Sequence, residues 1–529
     1  MVQPVAIVQP GQVPGVWSQR TGAAIGVLSA LVALAAAELL SLILPGSPSP
    51  VRAIADLVID LTPAGIREAL IGAVGTADKP ILTVGIIVVI LAVGAAVGVR
   101  YRNIAAKSWP VYAILGLLIG ALTAATTAAI FSSLVAGLGG ALVGWATFAF
   151  LLQTTSQAVE SDDGQLAVTV APALDRRTFL ISSGAVGALA VAGVAVLSTV
   201  RATSLRTVES VRAMLRLPTP VRVAQAVPAS AGIDLPGMAP PVTSNDNFYR
   251  IDTALVPPAV AVDGWTLTIT GKVARPVTLT YDDLMGMPQI ERYITLACVS
   301  NPVGGDLVDN ALWQGVSLRT VLEQVGISPG GEQLVAESVD GFTAAFPVEV
   351  ALDNRDALIA VGMNGEVLPV NHGFPARLVV PGLYGYVSAT KWLREIRITS
   401  FAEESGFWIP RGWIADGTIE AASRIDVPTN RETVSAGNVV VAGRAWHQMV
   451  PIGGVEVSVD GGPWTAATLA TDMGIDTWRL WSWNWAATSG EHSLRVRMFD
   501  ANGDVQSPAF RRPGPGPASG YQSVDVFVS

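Results

Sequence analysis

The sequence predicts a multidomain chain: an all-α transmembrane bundle, then an α+β domain, then an all-β sandwich. Three observations carry that reading. Apolar runs of membrane-spanning length crowd residues 1–200, strands and helices mix without a regular repeat over 244–405, and short alternating strands broken by Asp-Gly turns fill 438–529. Composition agrees, since 50% of the 529 residues are hydrophobic and only 14% charged, with a mean hydropathy of +0.48. The net charge is −9, and no run of Lys or Arg interleaved with aromatics occurs, which excludes a nucleic-acid partner.

Five runs have the ~20 residues that a helix needs to cross hydrocarbon: 23–44, 81–99, 111–131, 134–152 and 179–200. Segment 51–74 is interrupted by Asp56, Asp60, Arg67 and Glu68 and reads as an amphipathic helix at the interface. Arg100, Arg102 and Lys107 after the second run, and Arg176 and Arg177 before the fifth, place those loops in the cytoplasm; Arg52, Arg67 and Lys79 pull the other way. Five spans then leave the N-terminus inside and everything after about residue 200 outside a bacterial cell membrane, with the lipid bilayer as a partner. Arg176-Arg177-Thr178-Phe179-Leu180 admits two readings, an ordinary positive-inside anchor or a twin-arginine export signal.

The three histidines, His372, His447 and His492, all lie beyond the last run, so a bis-histidine haem has no ligands in the bundle. Intramembrane charge is scarce, which makes the helices an anchor rather than an ion path. No iron–sulfur ligand set occurs either, and the electron partner is expected to be another protein or a quinone.

Segment 201–243, with Pro218, Pro220, Pro228, Pro236, Pro240 and Pro241, reads as an extended linker. In 244–405, 265–270, 292–299, 333–338, 378–380 and 392–398 are strand-like, whereas 281–285 and 318–325 are short helices. Cys298, the chain's one cysteine, closes the second of these strands. A lone cysteine is most often a small buried hydrophobe.

The surrounding residues change that. Leu296-Ala297-Cys298-Val299-Ser300-Asn301, Trp313-Gln314-Gly315-Val316, Met363 to Pro369, His372-Gly373-Phe374-Pro375-Ala376-Arg377, then Tyr384-Gly385 and Lys391-Trp392-Leu393 occur in the order of the sulfite-oxidase family, which the central domain resembles. The resemblance implies a molybdenum–molybdopterin cofactor, with Cys298 as the metal ligand and two-electron oxygen-atom transfer on a small substrate. It further implies pterin-phosphate contacts from Arg377 and Lys391 and a cofactor hydrogen bond from His372. Asn245, Tyr249 and Arg250 match the family's pterin-contacting stretch, with Arg250 also catalytic. Ser338 matches a hydroxyl position, and Ser388 is chosen among Ser388, Ala389 and Thr390 as a phosphate contact. Phe342 stands where the family has an active-site tyrosine.

The match also has gaps. The family's Gly-Asn-Arg-Arg after the cysteine is replaced by Ser300-Asn301-Pro302-Val303-Gly304-Gly305, which removes an anion-binding pair and puts sulfite in doubt as substrate. A reductase of sulfoxides or N-oxides, or a cofactor-less binding module, are the alternatives. After a connector over 406–437, the sandwich over 438–529 resembles the immunoglobulin-like domain that supports homodimers in the family. Trp446, Trp464, Trp478, Trp481, Trp483 and Trp485 are expected in its core and edge, and His447 and His492 on its surface.

Overall fold

The computed structural model describes residues 18–44, 49–62, 78–102, 104–125, 130–153, 176–254 and 256–529. They fall into two compact units, Met1–Thr203 and Ser204–Ser529.

The first unit holds helices α1 (Gln19–Ile43), α2 (Pro50–Leu61), α3 (Asp78–Tyr101), α4 (Trp109–Ala125), α5 (Ile130–Gln153) and most of α6 (Arg176–Met214). Ser18 and Ser49 cap α1 and α2 by accepting N–H bonds from Thr21 and Arg52. Stretches 19–43, 81–101, 105–125 and 130–152 are long and apolar enough to cross a membrane. Their contacts use small residues. A Cβ at Gly26 would collide with the Gly94 backbone, one at Gly98 with Gly22, and one at Gly137 with Gly116, so these helices approach at backbone distance. Glu38 in α1 is buried and accepts from Ser49 Oγ (2.7 Å), Val51 N–H (3.1 Å) and Arg201 (3.3 Å).

Three expectations shift here. The third run ends at Ala125 rather than residue 131, because Ile130 and Phe131 already begin α5. The interfacial helix is helical over Pro50–Leu61, and 63–77 lies outside the described residues. The fifth run lies within α6, where many side chains, those of Arg176 and Arg177 included, are outside the described residues.

The second unit begins on α6. Residues 201–214, expected as linker, continue the helix, and no proline interrupts 201–217. The remainder is no free tether: Val221 N–H donates to Gln289 O (2.8 Å), Gln314 to Pro218 O (2.7 Å) and Thr243 N–H to Asn310 O (2.8 Å). Two sheets follow. One has β1 (Thr266–Gly271), β2 (Val277–Thr280), β5 (Gln333–Ser338), β6 (Thr343–Pro347) and β10 (Leu393–Thr399) in the order β2-β1-β10-β5-β6. The other has β3 (Gln289–Ala297), β4 (Val308–Ser317), β7 (Leu358–Met363) and β8 (Glu366–Val367) in sequence order, with β9 (Arg377–Val379) on β7.

Four short helices connect the strands: α7 (Tyr281–Gly286), opened by a Thr280–Asp283 capping box; α8 (Leu318–Val325), capped by Ser317 and stopped by Gly326 at φ 70; α9 (Val348–Leu352); and α10 (Gly385–Ser388). Leu267, Ile396 and Leu334 of the first sheet share a core with Ile359, Val361 and Leu378 of the second.

The C-terminal strands form two further sheets. These are β11 (Ala422–Val427), β13 (Gly437–Trp446), β17 (Arg479–Ala487) and β16 (Thr468–Leu469) in that order, and β12 (Glu432–Val434), β19 (Ser523–Val528), β18 (Gly490–Asp500), β14 (Ile452–Val459) and β15 (Thr465–Ala466). Their inner faces meet in one cluster that includes Val441, Trp481, Trp485, Val457 and Val496. The expected connector thus contains β11 and β12. The strand signal of β11 is hidden because buried Asp426 alternates with charged Arg424 and is ion-paired with both Arg424 (2.7 Å) and Arg444 (3.2 Å). Trp446 and Trp478 leave this core for a cluster with Ala297 and Val299. His447 is half-buried beside buried Asp500, whereas His492 lies at the surface, bonded to exposed Asp460 (2.7 Å), as expected.

Candidate active site

Cys298 sits one residue past β3, where the β3–β4 ladder ends at Ala297↔Val308. Its N–H donates to Leu307 O (2.9 Å) and its carbonyl accepts from Asn301 N–H (3.0 Å), closing a tight loop. The thiol is buried, which pushes its pKa up; hydrogen bonds from Ser300 and the Lys391 charge oppose that shift. A soft metal cation at the sulfur would turn the balance toward thiolate.

Around it the chain buries positive charge. Arg377 on β9 is 3% exposed, lies 4.9 Å over the Trp313 ring and donates to His372 O (3.1 Å). Burial drives its pKa down to about 10, and among the described residues no carboxylate pairs with it. Lys391 is 9% exposed, bonded to Asp252 (3.3 Å) and Asn371 O (3.3 Å), and pushed down to about 8 by burial. Arg250 reaches the same Asp252 carboxylate at 3.7 Å and is half exposed.

His372 closes the short turn Val370–His372, and its Nε2 lies 2.8 Å from Asn245 O. A carbonyl can only accept, so Nε2 carries the proton and Nδ1 is a bare acceptor. That Nδ1 is buried and has no partner among the described residues. Burial, and the charges of Lys391, Arg377 and Arg250, hold His372 down at about 4, so the ring is neutral.

Tyr249 stacks on Phe248 (5.3 Å), and Phe248 meets Trp313 and His372 edge-on. Burial and the nearby Cys298 push the Tyr249 phenol well up, while Arg377 pulls it down. Its N–H donates to Asp309 (2.6 Å), which also accepts from Thr243 (3.0 Å). Asn245 bridges Glu366 (2.5 Å) and Asn364 (2.8 Å).

Of the residues expected at the site, Asn245, Tyr249, Arg250, Cys298, His372, Arg377 and Lys391 are linked by these contacts and mutual charges. The other three are spent elsewhere. Ser388 donates to Tyr384 O (3.0 Å), Ser338 Oγ accepts from Asp340 N–H (3.3 Å), and the Phe342 ring packs on Phe407 (5.7 Å). Sequence reasoning missed Asp252 and Asp309, and gave Trp313 no role although it stood in a quoted motif.

Lys391 and Arg250 share the carboxylate of Asp252, while buried Arg377, whose charge acts on Lys391, has no carboxylate partner among the described residues. Burying unpaired charge is costly, so an anion is the expected partner. A buried thiol, a bare histidine acceptor and a planar arginine fork complete a donor set that fits a phosphate-bearing cofactor whose metal takes a sulfur ligand. These features define a cofactor-dependent oxidoreductase site.

Residues 254–408 match the oxidoreductase molybdopterin binding domain family. The chain is 33% identical over 181 residues to the uncharacterized oxidoreductase YuiH of Bacillus subtilis, covering 34% of this chain and 88% of that one. It is 30% identical over 287 residues to the sulfite oxidase of Arabidopsis thaliana, covering 44% of this chain and 71% of that one. The solved sulfane dehydrogenase SoxCD of Paracoccus pantotrophus is similar at 27% identity and a TM-score of 0.45, over 50% of this chain and 76% of that one. The chain belongs to the sulfite-oxidase-like molybdopterin oxidoreductases and is a molybdenum-dependent oxidoreductase.

Proposed function

We propose that the chain is a membrane-anchored, extracytoplasmic oxidoreductase that transfers an oxygen atom and two electrons between a small substrate and a molybdenum–molybdopterin cofactor. The observation that carries this is buried Arg377, without a carboxylate partner among the described residues, next to Lys391, whose charge in turn acts on the Cys298 thiol. Cys298 would hold the metal, Arg377, Lys391 and Arg250 the pterin phosphate, and His372 Nδ1 a cofactor N–H, with Asn245 and Tyr249 lining the pterin. The cofactor, when bound, supplies the two-electron redox chemistry. The chain's part is to bind and orient it, exclude water and fix charge.

The layout that goes with this function is a membrane domain over 1–200, a catalytic domain over 244–405 and a C-terminal immunoglobulin-like sandwich that supports a homodimer. The Glu38–Arg201 pair supports an outside location for residues after 200, since it joins the end of the first span to the end of the fifth. Electrons would leave to another protein or a quinone.

The test is molybdenum and pterin analysis of purified wild type and Cys298→Ala. Molybdenum in the wild type alone is expected; equal contents would sink the ligand assignment. A second reading, reduction of sulfoxides or N-oxides, is favoured by the absence of a cation over 300–305. Turnover of a sulfoxide with reduced viologen, and none of sulfite with ferricyanide, would select it.

A further inference from the structure

The loop that carries Cys298 is gripped on both sides by the C-terminal sheets. Three residues upstream, buried Thr295 has every polar group engaged there. Its N–H donates to Asp476 O (2.9 Å), its hydroxyl accepts from Trp478 N–H (2.8 Å), and its carbonyl accepts from the Gln448 amide, which also donates to Asp476 O (2.9 Å). β3 lies at the edge of its sheet, so these bonds take the place of a neighbouring strand.

Downstream, Arg424 donates to Gly305 O, and Gly304, at φ +74, lies against Gln522, whose amide a Cβ would approach to 2.7 Å. Gln522 is itself fixed by the Ile425 N–H (2.5 Å). Between the two grips, Ala297 and Val299 are buried with Trp446, Trp478 and Leu480.

We propose that Gln448, Arg424 and Gln522 are positioning residues for Cys298, so that the C-terminal sheets set where its sulfur stands relative to the buried cations. The bonds within the loop, Cys298 to Leu307 and Asn301 to Cys298 and Leu307, shape the turn; the ties to Thr295 and Gly305 fix that turn in space. The functional consequence rests on Cys298 holding the metal, whereas the clamp does not.

Because Cys298 is the only cysteine, thiol labelling reports on this loop alone. In full-length protein made without cofactor and kept in detergent, maleimide labelling is expected to speed up about tenfold in Arg424→Met and Gln448→Leu, the effect of deleting anchors that oppose local opening. Arg424→Lys should recover most of the wild-type rate. Glu456→Gln, which breaks the pair with Arg497 on the same sheets, should leave it unchanged. In protein loaded during expression, the first two variants should retain less molybdenum than wild type.

Labelling of both variants at the wild-type rate, whatever their melting temperatures, overturns the proposal. Should either fail to fold, Thr295→Val, which removes the hydroxyl bonded to Trp478 and Asn310, carries the same expectation. A wild type devoid of molybdenum and pterin would defeat the functional reading, and the labelling rates would still decide the clamp.

Discussion

At the scale of single residues, the site is organised by charge that the protein cannot neutralise itself. Arg377→Met should therefore separate stability from function. Pterin content is expected to fall at least about tenfold, the loss of a charge-assisted bidentate contact. The cofactor-free protein should melt no lower than wild type, because an unpaired buried cation has gone. Pterin fluorescence after acid release and a melting curve check both halves.

His372 gives a pH signature. Its folded-state pKa, about 4, lies below the ordinary 6.5, so the unfolded chain binds more protons between those values and stability rises with pH across that window. Lys391, at about 8 against 10.5, acts in the same direction at higher pH. Melting of cofactor-free protein between pH 4.5 and 7 should show a steeper rise in wild type than in His372→Gln; parallel curves would contradict the burial of a neutral ring.

Cys298, Arg377 and Lys391 were legible in the sequence because ordered motifs mark them. Asp252 was not. A lone aspartate has no signature, and its role arises only when folding brings it against Lys391, 139 residues away.

At the scale of elements, periodicity was informative wherever one face is apolar. Both α8 and β5 match the segments read from the sequence, 318–325 and 333–338. It failed where polar residues are buried in pairs, as in β11, and where the decisive feature is backbone proximity. The close approach of α1 to α3 is of the second kind. Gly26→Leu should destabilise the detergent-solubilised protein, since its Cβ would strike Gly94, whereas Gly85→Leu, with open space around it, should not. Equal thermal stability of the two variants would argue against this packing.

At the scale of the whole molecule, composition separated an apolar N-terminal region from a polar remainder, which matches the two units. Within the second unit the central and C-terminal sheets keep separate cores but are tied together by contacts across the boundaries. Pro218 and Pro241 accept from Gln314 and Asn310 of the central sheet, and the C-terminal sheets reach back to Thr295 and Gly305. Export of this unit by the twin-arginine route makes its own forecast. Replacing Arg176 and Arg177 by lysine should leave residues beyond 204 protected from protease added outside intact cells, and digestion equal to wild type would count against that route.

The excess of cations over carboxylate around Lys391 has a further consequence for how the protein is handled in the cell. An anion that binds only the folded state stabilises it in proportion to the logarithm of its concentration over its dissociation constant. Here that stabilisation is concentrated where like charges face one another across Arg250, Arg377 and Lys391. Filled and empty molecules should then differ in local opening at the pocket, with the empty form cut first by a protease. The charge arrangement thus doubles as a quality mark, distinguishing finished enzyme from unfinished before either is put to use.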